Sequence, residues 1–213
     1  MSVNVRSRRS IPDGDQTKVA LIEAAEWLFA RHGIAGVSLR QIGAAAGSAN
    51  TNVVGYHFGN KQALIEAIYN FRLPAIDARR GELLEQAEID GLGNDCLSLL
   101  RVIWLPLFEQ KSVENQHTYA RFLASISREG LGETRNLLDP LYPSTGKVAK
   151  RLGMILAHET PAIANMRVRM QAFMLCGALE YIDQTCPEDD AAAERIFEEA
   201  LVMCARALGG STP

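Results

Sequence analysis

Apolar residues recur at helical spacing along nearly the whole chain, and no segment shows the strict alternation that is typical of a strand. In residues 17–32 the apolar side chains, among them Leu21, Leu28 and Phe29, fall on one face, and Gly33 follows as a stop signal. The pattern therefore predicts an all-α protein whose first helix covers residues 17–32.

Two short helices are predicted next. Ser38 is a suitable cap for a helix that ends at Gly47, and Asn50 is available as the cap of a brief helix over residues 51–58. Ile42 would point inward from the first of them, and the glycine permits a sharp turn between the two. Two short helices joined by such a turn form a helix-turn-helix candidate.

The fourth helix is predicted to be long. Asn60 caps it, Lys61 begins it, and its apolar positions continue into the eighties. Pro74 lies inside this helix, where it removes a backbone donor and crowds the preceding turn, so we expect a kink near residues 70–74. We also expect this helix to be the one element that touches both ends of the protein.

The rest of the chain is predicted to form helices over residues 94–110, 114–128, 134–140, 144–157, 161–185 and 189–208. The last two carry wide apolar stripes. These consist of Met166, Met170, Phe173, Met174, Gly177, Ala178 and Tyr181, and of Ile196, Phe197, Ala200, Leu201, Cys204 and Leu208. Two such helices can cover the body of the protein, pair with a second copy of the chain, or do both.

Composition indicates an ordinary globular protein, since 47% of the 213 residues are hydrophobic and 22% are charged. No apolar run approaches the roughly 20 residues that span a bilayer, and the N-terminal arginines have no apolar segment behind them, unlike a signal peptide. We therefore expect a cytoplasmic protein without membrane association. The four scattered cysteines favour reduced, mostly buried thiols, with a redox sensor as the alternative.

The net charge of −3 is unevenly distributed. Residues 1–61 contain seven basic and four acidic residues, whereas the remaining 152 residues contain 15 basic and 21 acidic ones. A basic N-terminal end on an acidic body is typical of a protein that contacts phosphate with one end only. Arg6, Arg8 and Arg9 precede the first helix in a polar arm, which we expect either to be disordered or to enter the minor groove of DNA.

The helix-turn-helix candidate carries side chains suited to DNA. Asparagine can bridge an adenine edge, threonine offers a hydroxyl and a methyl group, and tyrosine and histidine suit phosphate oxygens. A lysine at the start of a helix adds its charge to the free backbone amides there. The candidates for base contact are Asn50, Thr51 and Asn52, and those for phosphate contact are Tyr56, His57 and Lys61.

The stretch SLRQIGAAAGSANTNVVGYHFGNKQALIEAI, residues 38–68, resembles the DNA-binding region of the TetR family of bacterial transcriptional repressors. The resemblance extends over about residues 17–68. Its anchors follow the family's order, namely Phe29 with Gly33, Ile42–Gly43, Ala46–Gly47, Tyr56–His57–Phe58, and Asn60–Lys61 before Leu64.

Two positions depart from the family's pattern. Eleven steps separate Gly47 from Phe58, where the family usually has ten, and the extra residue lies in the turn. Gly55 stands where the family commonly has a larger polar or aromatic side chain. Arg40 matches a position that reaches DNA in some members, so the resemblance adds it to the candidates for DNA contact.

The resemblance implies an all-α architecture, a function and a set of partners. After a flexible basic arm (1–14), residues 15–62 would form a helix-turn-helix DNA-binding head and residues 63–213 a larger helical ligand-binding and dimerisation body. The implied protein is a sequence-specific transcriptional regulator and a homodimer through its two C-terminal helices. It would repress by binding double-stranded operator DNA and be released by a small, largely apolar effector. No cofactor or metal is implied.

The implied effector pocket would lie among the helices of the body. Its candidates are large or flexible apolar side chains, for which plain core is the alternative. They are Trp104, Phe108, Tyr119, Phe122, Met154, Met170 and Phe173. His117 and Arg121 are candidate polar anchors, with a solvated helix edge as their alternative.

Motifs that look catalytic fail on their context. Ser144-x-x-Lys147 lacks the partner motifs of the penicillin-recognising enzymes, and Leu141 stands where a P-loop would need glycine. The four histidines are too dispersed to indicate a metal site. We therefore expect no enzyme. The alternatives are a regulator whose head binds another protein, or one that binds DNA without a small ligand.

Overall fold

A computed structural model describes residues 14–131 and 141–209. The elements in these two ranges are α-helices, which confirms the predicted all-α fold. They are α1 (Gly14–His32), α2 (Leu39–Ala45), α3 (Val53–Phe58), α4 (Lys61–Ile89), α5 (Cys96–Glu109), α6 (Thr118–Arg128), α7 (Pro143–Ile155), α8 (Pro161–Thr185) and α9 (Asp190–Ala207). The basic arm up to residue 13 and the predicted helix over 134–140 lie outside the described ranges.

Most predicted helix bounds agree with the structure to within two residues, but the starts of α1 and α6 need correction. α1 includes Gly14, which the sequence assigned to the arm, and Asp15 in its first turn favours this earlier start. α6 begins at Thr118 rather than at residue 114, because the preceding residues form a turn. In that turn the backbone N–H of Ser112 donates to the carbonyl oxygen of Gln116 at 2.8 Å.

Local signals set the geometry of α2 and the following turn. Ser38 caps α2 as predicted, since its Oγ accepts from the N–H of Gln41 while Gln41 Oε1 accepts from the Ser38 N–H. Gly47 has a φ of 77°, which few other residues adopt without strain. Gly43 lets α2 approach α3, because a Cβ there would lie 2.9 Å from Val53 Cγ1.

The N-terminal helices share a core with the body. Phe29 of α1 stacks on Phe122 of α6 with ring centroids 6.3 Å apart, and Tyr69 of α4 meets the same ring edge-on at 5.7 Å. All three aromatic residues are almost completely buried. Such packing positions α2 and α3 on a rigid base formed by α1, α4 and α6.

The expectation that α4 alone touches both ends of the protein is wrong. α4 runs as one helix through Pro74, and Arg72 Nε donates to Glu26 Oε2 of α1 at 2.7 Å. α6 reaches the same buried carboxylate, since Thr118 Oγ1 donates to Glu26 Oε1 at 2.6 Å. At the other end of α6, Glu129 accepts from the backbone N–H of Ile34 at 2.6 Å. Both helices therefore connect the body to α1.

A buried polar network fixes α4 to its neighbours in the body. Asp77 Oδ1 accepts from the backbone N–H and the hydroxyl of Thr145, both at 2.7 Å, at the start of α7. Arg80 donates to Thr145 Oγ1 at 2.9 Å and to the carbonyl oxygen of Ile103 in α5 at 2.8 Å. α8 and α9 pack along each other and against α6 and α5 respectively. Within the described ranges, no helix has the length and apolar character of a membrane span.

The cysteines are free thiols, and Cys96, Cys176 and Cys204 are buried. Burial raises the pKa of the Cys204 thiol to about 12, and it also raises the pKa of Cys96. Because the thiolate is the reactive form, Cys96 and Cys204 are poor redox sensors. This arrangement favours the interpretation of these cysteines as core residues.

Candidate nucleic-acid interface

The turn before α3 is held by local hydrogen bonds. Ser48 Oγ accepts from the backbone N–H of Asn50 at 3.1 Å, and Asn50 Oδ1 accepts from the backbone N–H of Asn52 at 2.9 Å. The second bond occupies the Asn50 oxygen that was predicted to cap α3, so the helix begins at Val53 instead of residue 51. Side chains that hydrogen-bond their own backbone fix a turn. The residue that lengthens this turn relative to the TetR pattern is thus accommodated in an ordered structure.

Five of the seven side chains predicted to contact DNA are exposed, namely Arg40, Asn50, Thr51, Asn52 and Tyr56. Tyr56 is 81% exposed, more than expected for an aromatic side chain that only packs. The half-buried ring of His57 meets the Tyr56 ring edge-on, with centroids 4.9 Å apart. These residues come from α2, the turn and α3, which pack on one another. The structure therefore brings them into one small unit.

Gly55 makes room for Asn52. A Cβ at position 55 would lie 2.5 Å from Asn52 Oδ1, which is shorter than the contacts that Cβ atoms make in proteins. The Asn52 side chain therefore lies back over α3, where it makes no capping hydrogen bond to the helix. The departure from the family's pattern at Gly55 thus has a structural reason, since any larger residue would displace the asparagine.

Lys61 has a contact inside the protein. Its Nζ donates to the carbonyl oxygen of Ile34, in the loop between α1 and α2, at 2.7 Å. Asn60 caps α4 as predicted, because its Oδ1 accepts from the N–H of Ala63 at 2.9 Å. The ammonium group is only partly buried, so it can keep its bond to Ile34 and still face a phosphate. The predicted phosphate contact stays a prediction.

The segment from the end of α1 to the start of α4 is positively charged. No acidic residue occurs between Glu26 and Glu66 in the sequence, a stretch that contains Arg31, Arg40 and Lys61. Within the described part of the chain, Arg40 has no hydrogen-bond or ion-pair partner, so its charge is free to attract an anion. A polar, exposed helix start with basic neighbours and without carboxylates is suited to bind the edge and backbone of a nucleic acid.

A second candidate site lies in the body, where a partly open cavity of about 190 Å³ is lined mainly by α5, α6, α7 and α8. Of the side chains predicted for the effector pocket, Trp104 and Phe173 line this cavity. Trp104 and Tyr119 also line a neighbouring void of about 30 Å³. The structure thus brings part of the predicted set together around one cavity.

The other four predicted pocket residues lie elsewhere. Phe122 is fully buried among aromatic rings, and Phe108 stacks on Phe197 with centroids 4.5 Å apart. Met154 and Met170 have exposed fractions of 56% and 50%. The apolar character of these residues could not show whether each lies in the core, on the surface or in the cavity. The location of each residue depends on how the helices pack.

Neither polar anchor suggested by the sequence lines the cavity. His117 is fully buried, with Nδ1 2.6 Å from Asp183 Oδ1 and Nε2 2.9 Å from the carbonyl oxygen of Phe108, so a solvated helix edge is also wrong for it. Arg121 pairs with Glu180. Both residues join α6 to α8 or to the end of α5.

Sequence reasoning missed Gln171, which is 8% exposed and lines the cavity. Its Oε1 accepts from the indole Nε1–H of Trp104 at 3.2 Å. A signal was present, because Gln171 begins a helical stripe of otherwise apolar residues, Leu175, Leu179 and Ile182, that forms the buried face of α8. A polar residue in a buried apolar stripe indicates a specific partner.

The whole α2–turn–α3 unit matches a known domain. Residues 21–68 match the family model described as bacterial regulatory proteins, tetR family. No curated protein matches the chain. The matched stretch extends from α1 into α4 and includes every described residue predicted to contact DNA. Residues 21–68 therefore form a DNA-binding domain of the TetR type, and the chain that carries it is a DNA-binding transcriptional regulator.

Proposed function

We propose that this protein is a cytoplasmic, homodimeric repressor that binds operator DNA and leaves it when a small, largely apolar effector binds in the body. The observation that carries the proposal is the exposed unit formed by α2, the turn and α3, which has basic neighbours and lacks carboxylates. The proposed division of the chain is a head over residues 15–62 and a body over residues 63–213.

Contacts to DNA divide by chemistry. Asn50, Thr51 and Asn52 stand at the start of α3 and read base edges in the major groove. Tyr56 and His57, on α3, hold phosphate oxygens. Arg40 and Lys61 contribute charge to the backbone, because a cation attracts phosphate whatever the base sequence.

The outward face of α8 and α9 supports the homodimer. Met166, Met170, Tyr181 and Met203 have exposed fractions of 46% to 54%. Between the two helices runs an apolar groove with Arg195 and Glu199 among its lining residues. In a two-fold interface the same surface of both copies is in contact. Arg195 of one copy can therefore pair with Glu199 of the other across the axis.

The effector hypothesis is supported by the cavity in the body. Its lining is mostly apolar, which is the usual character of a small-molecule site. The α6 residues Leu123, Ala124 and Ser127 contribute to that lining, and the same helix ends beside the α1–α2 loop. A ligand that shifts α6 would therefore disturb the position of the head, which is how an effector can weaken DNA binding.

Selection of bound sequences from random double-stranded DNA tests the proposal. We expect an inverted repeat whose half-sites lie about 34–36 Å apart, one turn of the duplex, because a symmetric dimer presents two heads to one side. Binding of the selected sequence should weaken steeply as salt rises. Recovery of no preferred sequence, or binding that salt does not affect, would favour a head that binds another protein.

A further inference from the structure

The cavity between α5, α6, α7 and α8 has an unusual polar feature. Its lining contains no charged side chain among the described residues, and most of it is aliphatic or aromatic. Gln171 projects from the buried face of α8 into this environment. A buried primary amide has two donors and one acceptor oxygen, and each costs free energy if it is left without a partner.

Trp104 fixes the orientation of the Gln171 amide. An indole N–H can only donate, so the group 3.2 Å from Trp104 Nε1 must be the amide oxygen and not the amide nitrogen. The NH₂ group of Gln171 is therefore directed away from the indole. Its Nε2 has no hydrogen-bond partner within residues 14–131 and 141–209. The cavity thus offers a donor that the described protein does not satisfy.

We propose that this cavity binds a small, neutral, mostly apolar molecule whose oxygen acceptor, such as a ketone, ester or ether oxygen, receives a hydrogen bond from Gln171 Nε2. The proposal rests on the effector hypothesis above and specifies its chemistry. A buried carboxylate or ammonium group would find no opposite charge among the described lining residues, so charged ligands are excluded by the cost of desolvation.

The volume limits the size of the ligand. A dry cavity of about 150 Å³ holds benzene, so a cavity of about 190 Å³ holds a single ring with a short substituent or a chain of similar size. By this comparison the ligand has roughly eight to ten non-hydrogen atoms. A polycyclic ligand would exceed this volume and extend out of the cavity.

Three probes of one size test this chemistry on the full-length protein. Acetophenone carries a carbonyl acceptor, α-methylstyrene replaces that oxygen with a CH₂ group, and benzoate is charged. Titration calorimetry should show that acetophenone binds at least about tenfold more tightly than α-methylstyrene, because the latter leaves the amide donor unpaired. Benzoate should bind more weakly than either.

Two variants assign the preference to the amide. Gln171→Leu should remove the difference between acetophenone and α-methylstyrene. Trp104→Phe should reduce it, because the amide can then turn its oxygen toward the cavity. Gln86→Leu, a matched change on the exposed surface of α4, should leave the preference intact. Circular dichroism and thermal unfolding of each variant establish that it is folded before its binding is compared.

The outcomes separate the inference from the proposed function. Equal binding of the two neutral probes, tightest binding of benzoate, no binding of any probe, or an unchanged preference in folded Gln171→Leu would each overturn the inference. None of these results affects DNA binding, which is measured separately by fluorescence anisotropy with the selected sequence. If acetophenone binds as expected but does not release DNA, the ligand chemistry stands and the proposed effector role fails.

Discussion

Asn52 and Gly55 show how one side chain depends on the absence of another. The Asn52 side chain occupies the space beside Gly55. A Cβ added at position 55 would lie only 2.5 Å from Asn52 Oδ1. Asn52 is exposed, so it can rotate away from α3 if that space is filled. A change at position 55 therefore acts on the asparagine rather than on the core.

We predict that Gly55→Ala displaces Asn52 and changes sequence preference at one base pair without unfolding the head. Alanine favours a helix by roughly 0.5–1 kcal/mol over glycine, which offsets part of the crowding. Affinity for the selected operator should fall by about 1–3 kcal/mol if Asn52 makes a bidentate base contact, while affinity for random DNA stays constant. Anisotropy titrations with both DNAs measure this. A parallel loss on both would exclude a role in base reading.

Arg40 and Lys61 carry the same charge but differ in their contacts inside the protein. Arg40→Ala should weaken binding to all DNA sequences without changing the free energy of unfolding. It should also reduce the salt slope, the steepness with which the logarithm of the binding constant falls with the logarithm of the salt concentration, by about 1. Lys61→Ala should do the same and also lower that free energy by about 1 kcal/mol, because the Ile34 carbonyl loses its donor. Salt titrations and urea unfolding measure the two effects. Unchanged salt slopes for both variants would contradict phosphate contact.

At the scale of elements, the sequence predicted those helix starts that are set by residues close by in the chain. Ser38 and Asn60 are caps that act within three residues, and the structure confirms both. The start of α3 was wrong by two residues because the Asn50 side chain closes a turn instead of capping the helix. Local competition of this kind is hard to resolve from sequence, since the same side chain suits both roles.

Contacts distant in sequence could not be predicted. The carboxylate of Glu129 binds the α1–α2 loop across more than ninety residues, with Oε2 accepting from the Ala35 N–H at 3.0 Å. Only the packing of α6 on α1 makes that bond possible. The hydrogen bond of Gln171 is also a contact between residues distant in sequence, because its partner Trp104 comes from another helix. Both residues are polar, and neither has a local motif that reveals its role.

α6 lines the cavity and α4 lines the neighbouring void, so the body offers two routes to the head, and a pair of variants distinguishes them. Glu129→Ala removes the acceptor for the Ile34 and Ala35 amides, so it should reduce release of DNA by the effector more than it reduces DNA affinity. Pro74→Ala restores a backbone donor in α4 and should have the larger effect if that helix tilts at the proline.

The measurement for both variants is DNA affinity with and without a saturating ligand. Glu129→Gln is the matched control, because its one remaining amide oxygen still accepts a hydrogen bond. We expect the order of loss in ligand response to be Glu129→Ala, then Glu129→Gln, then Pro74→Ala. The reverse order would make the proline in α4 the hinge, as the sequence suggested.

At the scale of the whole molecule, the two apolar faces of α8 differ in exposure. Leu175, Leu179 and Ile182 are buried within the chain. The stripe recognised in the sequence, including Met166, Met170 and Tyr181, turned out to be the face that a single chain leaves exposed. Most of the stripe recognised on α9 is instead buried within the chain, including Phe197, Leu201 and Cys204. Exposed apolar side chains grouped on one face favour an interaction surface, and two copies of a DNA-binding head would need a common axis to meet an inverted repeat.

Gly177 provides a sharp test of that surface. It lies on the exposed face of α8, and a Cβ there would meet no described atom within 4 Å, so a single chain tolerates a side chain at this position. In a homodimer through α8 and α9, Gly177→Arg would place two like charges in the interface. We therefore expect the variant to be a monomer by light scattering at micromolar concentration and to bind the full operator at least tenfold more weakly. Gly146→Arg, a helical glycine of α7 with equally open space, is the matched control and should remain a dimer. If folded Gly177→Arg remains a dimer, the two copies associate through another surface. That surface would then set the distance between the two heads.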